Sequence, residues 1–400
     1  MTRPQLLFVN RYYWPDHSAT SQVLTDLAEG LAASGASVTV IASRQRLDEP
    51  SAGLPKREEH RGVSVARVWT TRFGRHNLLG RLFDYVTFYL SAFVAVLTHA
   101  RAGDLVVAKT DPPMLGAVLA SAVRFKRAAL INWWQDVYPE IAVRLGVLQN
   151  PALVRALLWL RDRALRHARL NVVVGERMRE HLQAAASTAA FAVIPNWSAD
   201  LPHTDAPSPD NPVRRQVDAG DKVLFVYSGN LGRAHPFRPL LQAGELLRDR
   251  GSMGFLFIGG GAHMHRVKSE VAARGLRNWS FLPYQPRERI AESLGAADVH
   301  LVLLDPAVEG LIVPSKLYGA LAAARPVLFI GDTGGEVARV LGEHRCGLAV
   351  APEPAAIQAA IEQLVADAGL RKELGANARR AYKRSYTPGA GLKRWQELLG

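Results

Sequence analysis

The sequence predicts an α/β protein of two doubly wound, Rossmann-like domains facing across a cleft, and three observations carry that prediction. Short apolar strands alternate with helical stretches along all 400 residues. A polar stretch at 198–212, with prolines at 202, 207, 209 and 212 and aspartates at 200, 205 and 210, interrupts the alternation, which then restarts. The length suits two cores of about 150–200 residues better than one. With 48% apolar and 21% charged residues, burial can offset chain entropy.

Taken in order, Gln5–Asn10 reads as a strand, Ser21–Ala33 as a helix closed by Gly35, and Ser37–Ala42 as a strand. Asp104–Ala108 is a strand, Met114–Phe125 a helix and Ala129–Trp133 a strand. A basic helix follows at Leu153–His167, then a strand at Leu170–Val174, a helix at Arg177–Ala184 and a strand at Ala192–Pro195. Strands this short between helices are the mark of parallel sheets covered on both faces. Beyond the break come strands at Val223–Tyr227, Gly254–Ile258, Trp279–Leu282, Val299–Leu304 and Val327–Ile330. Their helices are Pro236–Asp249, His263–Ala273, Arg287–Leu294, Ser315–Ala323 and Glu336–Glu343, and Pro354–Leu399 is helical. The domains are therefore expected at 1–197 and 213–380, with 198–212 as linker and 381–400 as a final helix. Ligands of such sheets sit at the carboxyl ends of the strands.

A single cysteine, Cys346, excludes a disulfide framework and any all-cysteine metal site. The start of the chain runs into the strand Leu6–Val9 without the pattern of a signal peptide, so a cytoplasmic location is expected. The longest apolar run, Val86–Leu97, is short for a span. The formal charge of +13 is uneven: residues 1–197 hold 24 Lys+Arg against 15 Asp+Glu, and 198–400 hold 25 against 21. A basic first half suits an anionic partner such as acidic headgroups or a phosphorylated acceptor, or simply a soluble surface. Nucleic acid is not expected, since zinc-finger spacing and RNP-type aromatics are missing.

Tyr227-Ser-Gly-Asn-Leu-Gly-Arg233 follows a strand and precedes a helix, so Gly229 and Gly232 allow close approach of a ligand or serve a plain turn. The three-glycine dinucleotide fingerprint is missing. Gly259-Gly260-Gly261 repeats the theme one strand later. In Glu309–Ala323, Ser315 is a candidate N-cap and Lys316 falls in the first helical turn. A cation there opposes the helix dipole, which a bound diphosphate would explain. Glu309, just past a strand, is placed to accept sugar hydroxyls. No Ser-His-Asp triad is apparent, and His263 and His265 are spaced to face different directions.

Tyr12–Thr20, Trp134–Glu140, Val193–Trp197, Tyr227–Gly232 and Pro314–Tyr318 together resemble the family 4 glycosyltransferases, bacterial surface-polysaccharide type, over essentially the whole chain. The resemblance implies the GT-B fold, retention at the anomeric carbon, no cofactor or required metal, and a final helix crossing back to the first domain. It also implies that the C-terminal domain holds a nucleotide-diphosphate sugar, UDP-linked in expectation. The acceptor, lipid-linked or a saccharide, belongs to the N-terminal domain. Glu309 matches the first glutamate of the family's pair. The second falls at Gly319, leaving ribose to Glu288, Glu292 or backbone. The family's diphosphate arginine falls at Asn230, leaving Lys316 with Arg233 or Arg238. Gly260 and the Leu282–Gln285 segment, with Pro283 and Tyr284, match the ribose and base side, and Pro314, Ser315 and Leu317 flank Lys316. In the first domain Ser18, Ala19 and Thr20 replace a glycine pair, Lys109 is a phosphate candidate, and Asp136 is the acceptor-side polar group or a helix cap near Pro139. A sugar-nucleotide epimerase is the rival enzyme, and a periplasmic sugar-binding protein the rival without catalysis.

Arg72, Arg75, His76 and Arg81 precede or enter an apolar stretch in which positions 79, 82, 83, 86, 90 and 93 share one helical face, with Arg81, Asp84 and Thr87 toward another. This reads either as a helix lying on the inner face of an anionic cell membrane or as a core helix.

Overall fold

The computed structural model describes residues 4–47, 49, 51, 53–74, 78–203 and 206–400, so expectations resting on Arg75, His76 and Asp205 lie outside the described residues. The chain forms two compact units. Unit 1 takes the chain up to Pro195 together with Gly310–Ile312 and Gly391–Gly400, and unit 2 takes Asn196–Glu309 and Val313–Ala390.

Unit 1 runs β1 (Leu6–Val9), α1 (Ala19–Ala33), β2 (Val38–Ser43), β3 (Arg57–His60), β4 (Val63–Val68), α2 (Leu78–His99), β5 (Leu105–Lys109) and α3 (Leu115–Phe125). It continues with β6 (Ala129–Trp133), α4 (Glu140–Arg144), α5 (Pro151–His167), β7 (Leu170–Val173), α6 (Glu176–Ala185) and β8 (Phe191–Val193). The sheet order is β3-β4-β2-β1-β5-β6-β7-β8, parallel except where β3 meets β4. That edge hairpin was not anticipated. Its turn, Arg61-Gly62, has φ of 48° and 77°, and in β4 Val63 and Val65 are buried while Ser64 is exposed. The central strand β1 is buried throughout and pairs with β2 on one side and β5 on the other. The connections reverse direction between β1 and β5, and the carboxyl ends of β1, β5 and β6 gather there.

One face of this sheet is covered by α2, α3 and α5. Phe88, Ala92 and Val96 of α2 pack with Leu115 and Leu119 of α3 over Leu7, Val9 and Val106. Phe93, expected on the outer stripe of α2, is only partly buried and packs against this core. Asp84, expected on a polar flank, is fully buried. It pairs with Arg11 at 3.1 Å and accepts the backbone N–H groups of Phe73 and Gly74, both at 3.1 Å, because a buried carboxylate needs a charge and donors around it. The opposite face holds the end of the chain: Trp395 of α15 (Pro388–Leu399) is fully buried, its ring 4.8 Å from Trp133 and 6.4 Å from Phe8. Gly30 on α1 gives this helix room, since a Cβ there would come within 2.8 Å of Leu392.

Unit 2 runs α7 (Pro212–Gln216), β9 (Val223–Asn230), α8 (Arg238–Leu246), β10 (Met253–Gly260), α9 (Met264–Ala273), β11 (Trp279–Leu282), α10 (Ile290–Gly295) and β12 (Val299–Leu303). Then come α11 (Lys316–Ala322), β13 (Val327–Ile330), α12 (Glu336–His344), β14 (Gly347–Val350), α13 (Pro354–Ala366) and α14 (Ala368–Ser385). Its six strands are all parallel in the order β11-β10-β9-β12-β13-β14. Aromatic rings fill one side: Phe255 stacks on Trp279 at 4.4 Å and Tyr227 on Phe257 at 5.3 Å. The expected boundary at 380 falls inside α14. The proline-rich stretch belongs to this unit, where Leu201 is buried and Tyr382 donates to the Ser198 carbonyl at 3.1 Å. Here the order reverses between β9 and β12, so unit 2 has its own crevice at those strand ends.

Candidate active site

In unit 2, β9 and β10 extend past their expected ends into glycines, and their register pairs Gly229 with Gly259 and Asn230 with Gly260. Gly229 (φ +120°) and Gly259 (φ +127°) adopt backbone that other residues avoid, and a Cβ on Gly259 would meet the Gly229 carbonyl oxygen at 2.4 Å. Gly259 therefore lets the strand ends lie close together, and Gly229 leaves room for Lys316, whose Cε would lie 3.2 Å from a Cβ there. Lys316, the first residue of α11, reaches into this loop. Its Nζ donates to the Asn230 carbonyl at 3.1 Å and sits 4.9 Å from the Tyr227 ring centroid. Tyr227 donates to that same carbonyl at 2.8 Å. Burial lowers the Lys316 pKa to about 8, the response of a cation short of counter-charge. His235 stands behind it, with Gly232 N–H 3.1 Å from Nδ1. Burial, and then the Lys316 charge, lower its pKa to about 3, so it is neutral at physiological pH. The sequence had not singled out His235.

Tyr284 lies exposed after β11 with its ring against Gly260, where a Cβ would come within 2.9 Å of it. Pro283 next to it is exposed. Arg233 is exposed in the loop before α8, and Arg238 leans toward Glu270 at 3.9 Å. Ser315 occupies the N-cap position of α11 without a side-chain capping bond. Leu317 and Pro314 are buried, and Gly319, which stands where the family's second glutamate falls, faces Leu294. Glu292 accepts from Arg289 at 2.8 Å and Glu288 is exposed.

Glu309 follows a short turn at Pro306–Val308, after β12. Its carboxylate accepts the Glu336 N–H at 2.8 Å, at the start of α12, and lies so close over Gly335 that a Cβ there would come within 2.4 Å. A helix start is a favourable place for an anion. The glycine loop before α12 thus orients Glu309, a partner that residue type alone did not reveal.

In unit 1, Ser18 is the N-cap position of α1, also without a side-chain bond, and its N–H donates to Asp16 at 2.8 Å. Lys109 is not available to phosphate: its ammonium is buried, donates to the Thr20 carbonyl at 2.6 Å and lies 3.9 Å from the Trp133 ring centroid. Burial lowers its pKa to about 7 against the opposing pull of Asp111, Asp136 and Asp26. Asp136 lies after β6, with the backbone N–H of Gln135 donating to Thr110 Oγ1 at 3.0 Å. Burial, and then the Asp111 charge, raise its pKa to about 6. It caps no helix, since α4 starts at Glu140 with Pro139 as N-cap and no side-chain bond. At the crevice of unit 1, Lys109 is buried and Asp136 half-buried, and the pKa of each is shifted toward its neutral form, a common property of functional sites.

Two largely parallel, doubly wound sheets, each with its crevice, and a glycine loop met by a lysine on the second, are the architecture of the GT-B fold. The glycosyl transferase 4-like domain family matches residues 18–197, and the glycosyl transferases group 1 family matches residues 211–381. The probable glycosyltransferase WbjE of Pseudomonas aeruginosa is 30% identical over 302 residues, covering 73% of this chain and 74% of that protein. The chain belongs to the family 4 glycosyltransferases. The putative colanic acid biosynthesis glycosyl transferase WcaI of Escherichia coli K12 is 27% identical over 379 residues, 90% of each chain. Among solved structures, Anabaena HepE in complex with UDP-glucose shares the fold with a TM-score of 0.71 at 16% identity, over 99% of both chains. Membership in this family sets the chain among transferases, apart from the epimerase and binding-protein alternatives.

Proposed function

We propose that the chain transfers a sugar, with retention, from a uridine diphosphate sugar to a lipid-linked or saccharide acceptor in the synthesis of a bacterial surface polysaccharide. The observation that carries the donor assignment is Lys316 reaching the Gly229–Asn230 loop at the crevice of unit 2. Its depressed pKa is what an incoming diphosphate would restore. The main-chain amides of the glycine loop and Lys316 would take the leaving charge, each well-placed donor contributing on the order of 3 kcal/mol to the transition state. Tyr284 beside Gly260 would border the base, and Glu309 would offer a carboxylate to the sugar hydroxyls. Asp136 of unit 1 would align the acceptor hydroxyl. The bond from the anomeric carbon to the diphosphate oxygen breaks, the acceptor oxygen bonds from the same side, and its proton passes to the departing diphosphate.

Support for the donor comes from HepE, solved with UDP-glucose, and for the pathway from WcaI, named for colanic acid. An acceptor presented by lipid would hold the enzyme at the inner face of the cell membrane. Thermal denaturation with a set of sugar nucleotides tests the donor. One UDP-sugar at 100 times its Kd should stabilise the fold by about 2.7 kcal/mol, and a set that leaves the Tm unmoved contradicts the reading. With that donor and an acceptor, the anomeric signal of the product by NMR reads retention against inversion.

A further inference from the structure

Unit 1 carries a surface its own core does not use. α2 buries Phe88, Ala92 and Val96, and on its far side exposes Leu82, Val86, Leu90 and Val94, a row at four-residue spacing with Phe83 beside it. An open groove of about 400 Å³ lies beside the end of this row, between Leu90 and Val94 of α2 and Val68 and Trp69, and Trp69 is 61% exposed. α3 packs between α2 and α5, so the three helices lie side by side on one face of the sheet. α3 ends on Phe125, 79% exposed. α5 adds the exposed Trp159, flanked four residues away on either side by Arg155 and Arg163, whose guanidinium lies 5.7 Å from the indole centroid.

The charge on these helices has one sign. Between residues 78 and 169 no aspartate or glutamate is exposed: Asp84 and Asp104 are buried and the others half-buried. Arg101, Arg124 and Arg127 are exposed where α2 and α3 end, and Arg155, Arg163 and Arg166 are exposed on α5. A soluble surface ordinarily mixes both signs and scatters its apolar residues.

We propose that the α2–α3–α5 face of unit 1 docks in plane on an anionic lipid surface. This deepens the membrane-surface reading above by assigning α3 and α5, as well as α2, to the contact. The rows of α2 and Trp159 enter the boundary of the acyl chains, the groove beside Trp69 takes hydrocarbon, and the arginines meet headgroup phosphates. The 21 residues Leu79–His99 are long and apolar enough to cross a bilayer. However, the inner row of α2 belongs to the core of unit 1, so crossing would empty that core and the helix lies flat instead. A second copy of the chain is a poor occupant, because a two-fold contact would set this arginine-rich face against itself.

The test is flotation of the full chain with vesicles of phosphatidylcholine alone or mixed with phosphatidylglycerol, alongside calorimetric UDP binding. The wild type should float with the mixed vesicles, not with the neutral ones, and lose the interaction at about 0.5 M salt. Leu82→Glu/Leu90→Glu on α2 and Trp159→Ser/Arg163→Glu on α5 should each weaken flotation about tenfold with UDP binding unchanged. Equal flotation with neutral vesicles, no flotation at all, or an α5 variant that floats like the wild type would overturn the proposal. So would a dimer, seen by sedimentation, that the α2 variant dissociates. Loss of UDP binding with intact flotation would bear on the donor assignment alone.

Discussion

Burial holds Asp136 and Lys109 near the middle of the physiological pH range, with pKa values of about 6 and about 7, and each moves away from its ordinary value in the direction that favours the neutral form. For Asp136 the sign is fixed. Between the ordinary carboxylate range and about pH 6 the folded chain binds a proton that the unfolded chain does not, so this group's contribution to stability declines as pH rises through that window. Its carboxylate, the form that can align an acceptor hydroxyl, is lost as pH falls below about 6. Turnover should therefore drop on that side, and Asp136→Asn should lower kcat by about 10²-fold and remove the acid limb of the profile. Donor affinity should stay within about twofold, since donor binding is assigned to the other unit. An unchanged rate and profile in the variant would return Asp136 to a structural role. At this scale the sequence was only half legible. The contact of Lys316 with the Gly229–Asn230 loop is foreshadowed by glycines after a strand and a cation at a helix start. The burial of Lys109, the place of His235 behind Lys316 and the hold of Glu336 on Glu309 depend on residues far apart in the chain, which local spacing does not encode.

The strands and helices show the same division. β1, β5, β9 and β12 were readable because strands buried on both faces are continuous apolar runs. β3 and β4 are hard to see in the sequence because β3, Arg57–His60, has no apolar residue and resembles a loop. The outer row of α2 was read nearly as it stands, whereas Asp84 was misplaced because only the fold reveals Arg11 opposite it. The last helix makes a test at this scale. Trp395 contacts both Trp133 and Phe8, so Trp395→Ala should cost about 3–5 kcal/mol of unit 1 stability, read as a lower urea midpoint. A midpoint equal to that of the wild type would mean α15 is not part of that core.

For the whole molecule, two sheets of the same winding differ at their strand ends: unit 2 has glycines and a lysine, and unit 1 has Lys109 and Asp136 together with a basic, apolar outer face. Lys316 is the proposed counter-charge of a nucleoside diphosphate. Calorimetric titration of UDP and of the stabilising UDP-sugar into the wild type, Lys316→Ala and Glu309→Gln measures this directly. Lys316→Ala should weaken both ligands by about tenfold or more, near 1.4 kcal/mol, and wild-type affinity should fall as pH rises through about 8. Glu309→Gln should leave UDP binding unchanged and reduce only the increment due to the sugar. If UDP binds all three proteins equally and without pH dependence near 8, Lys316 is not the diphosphate's partner.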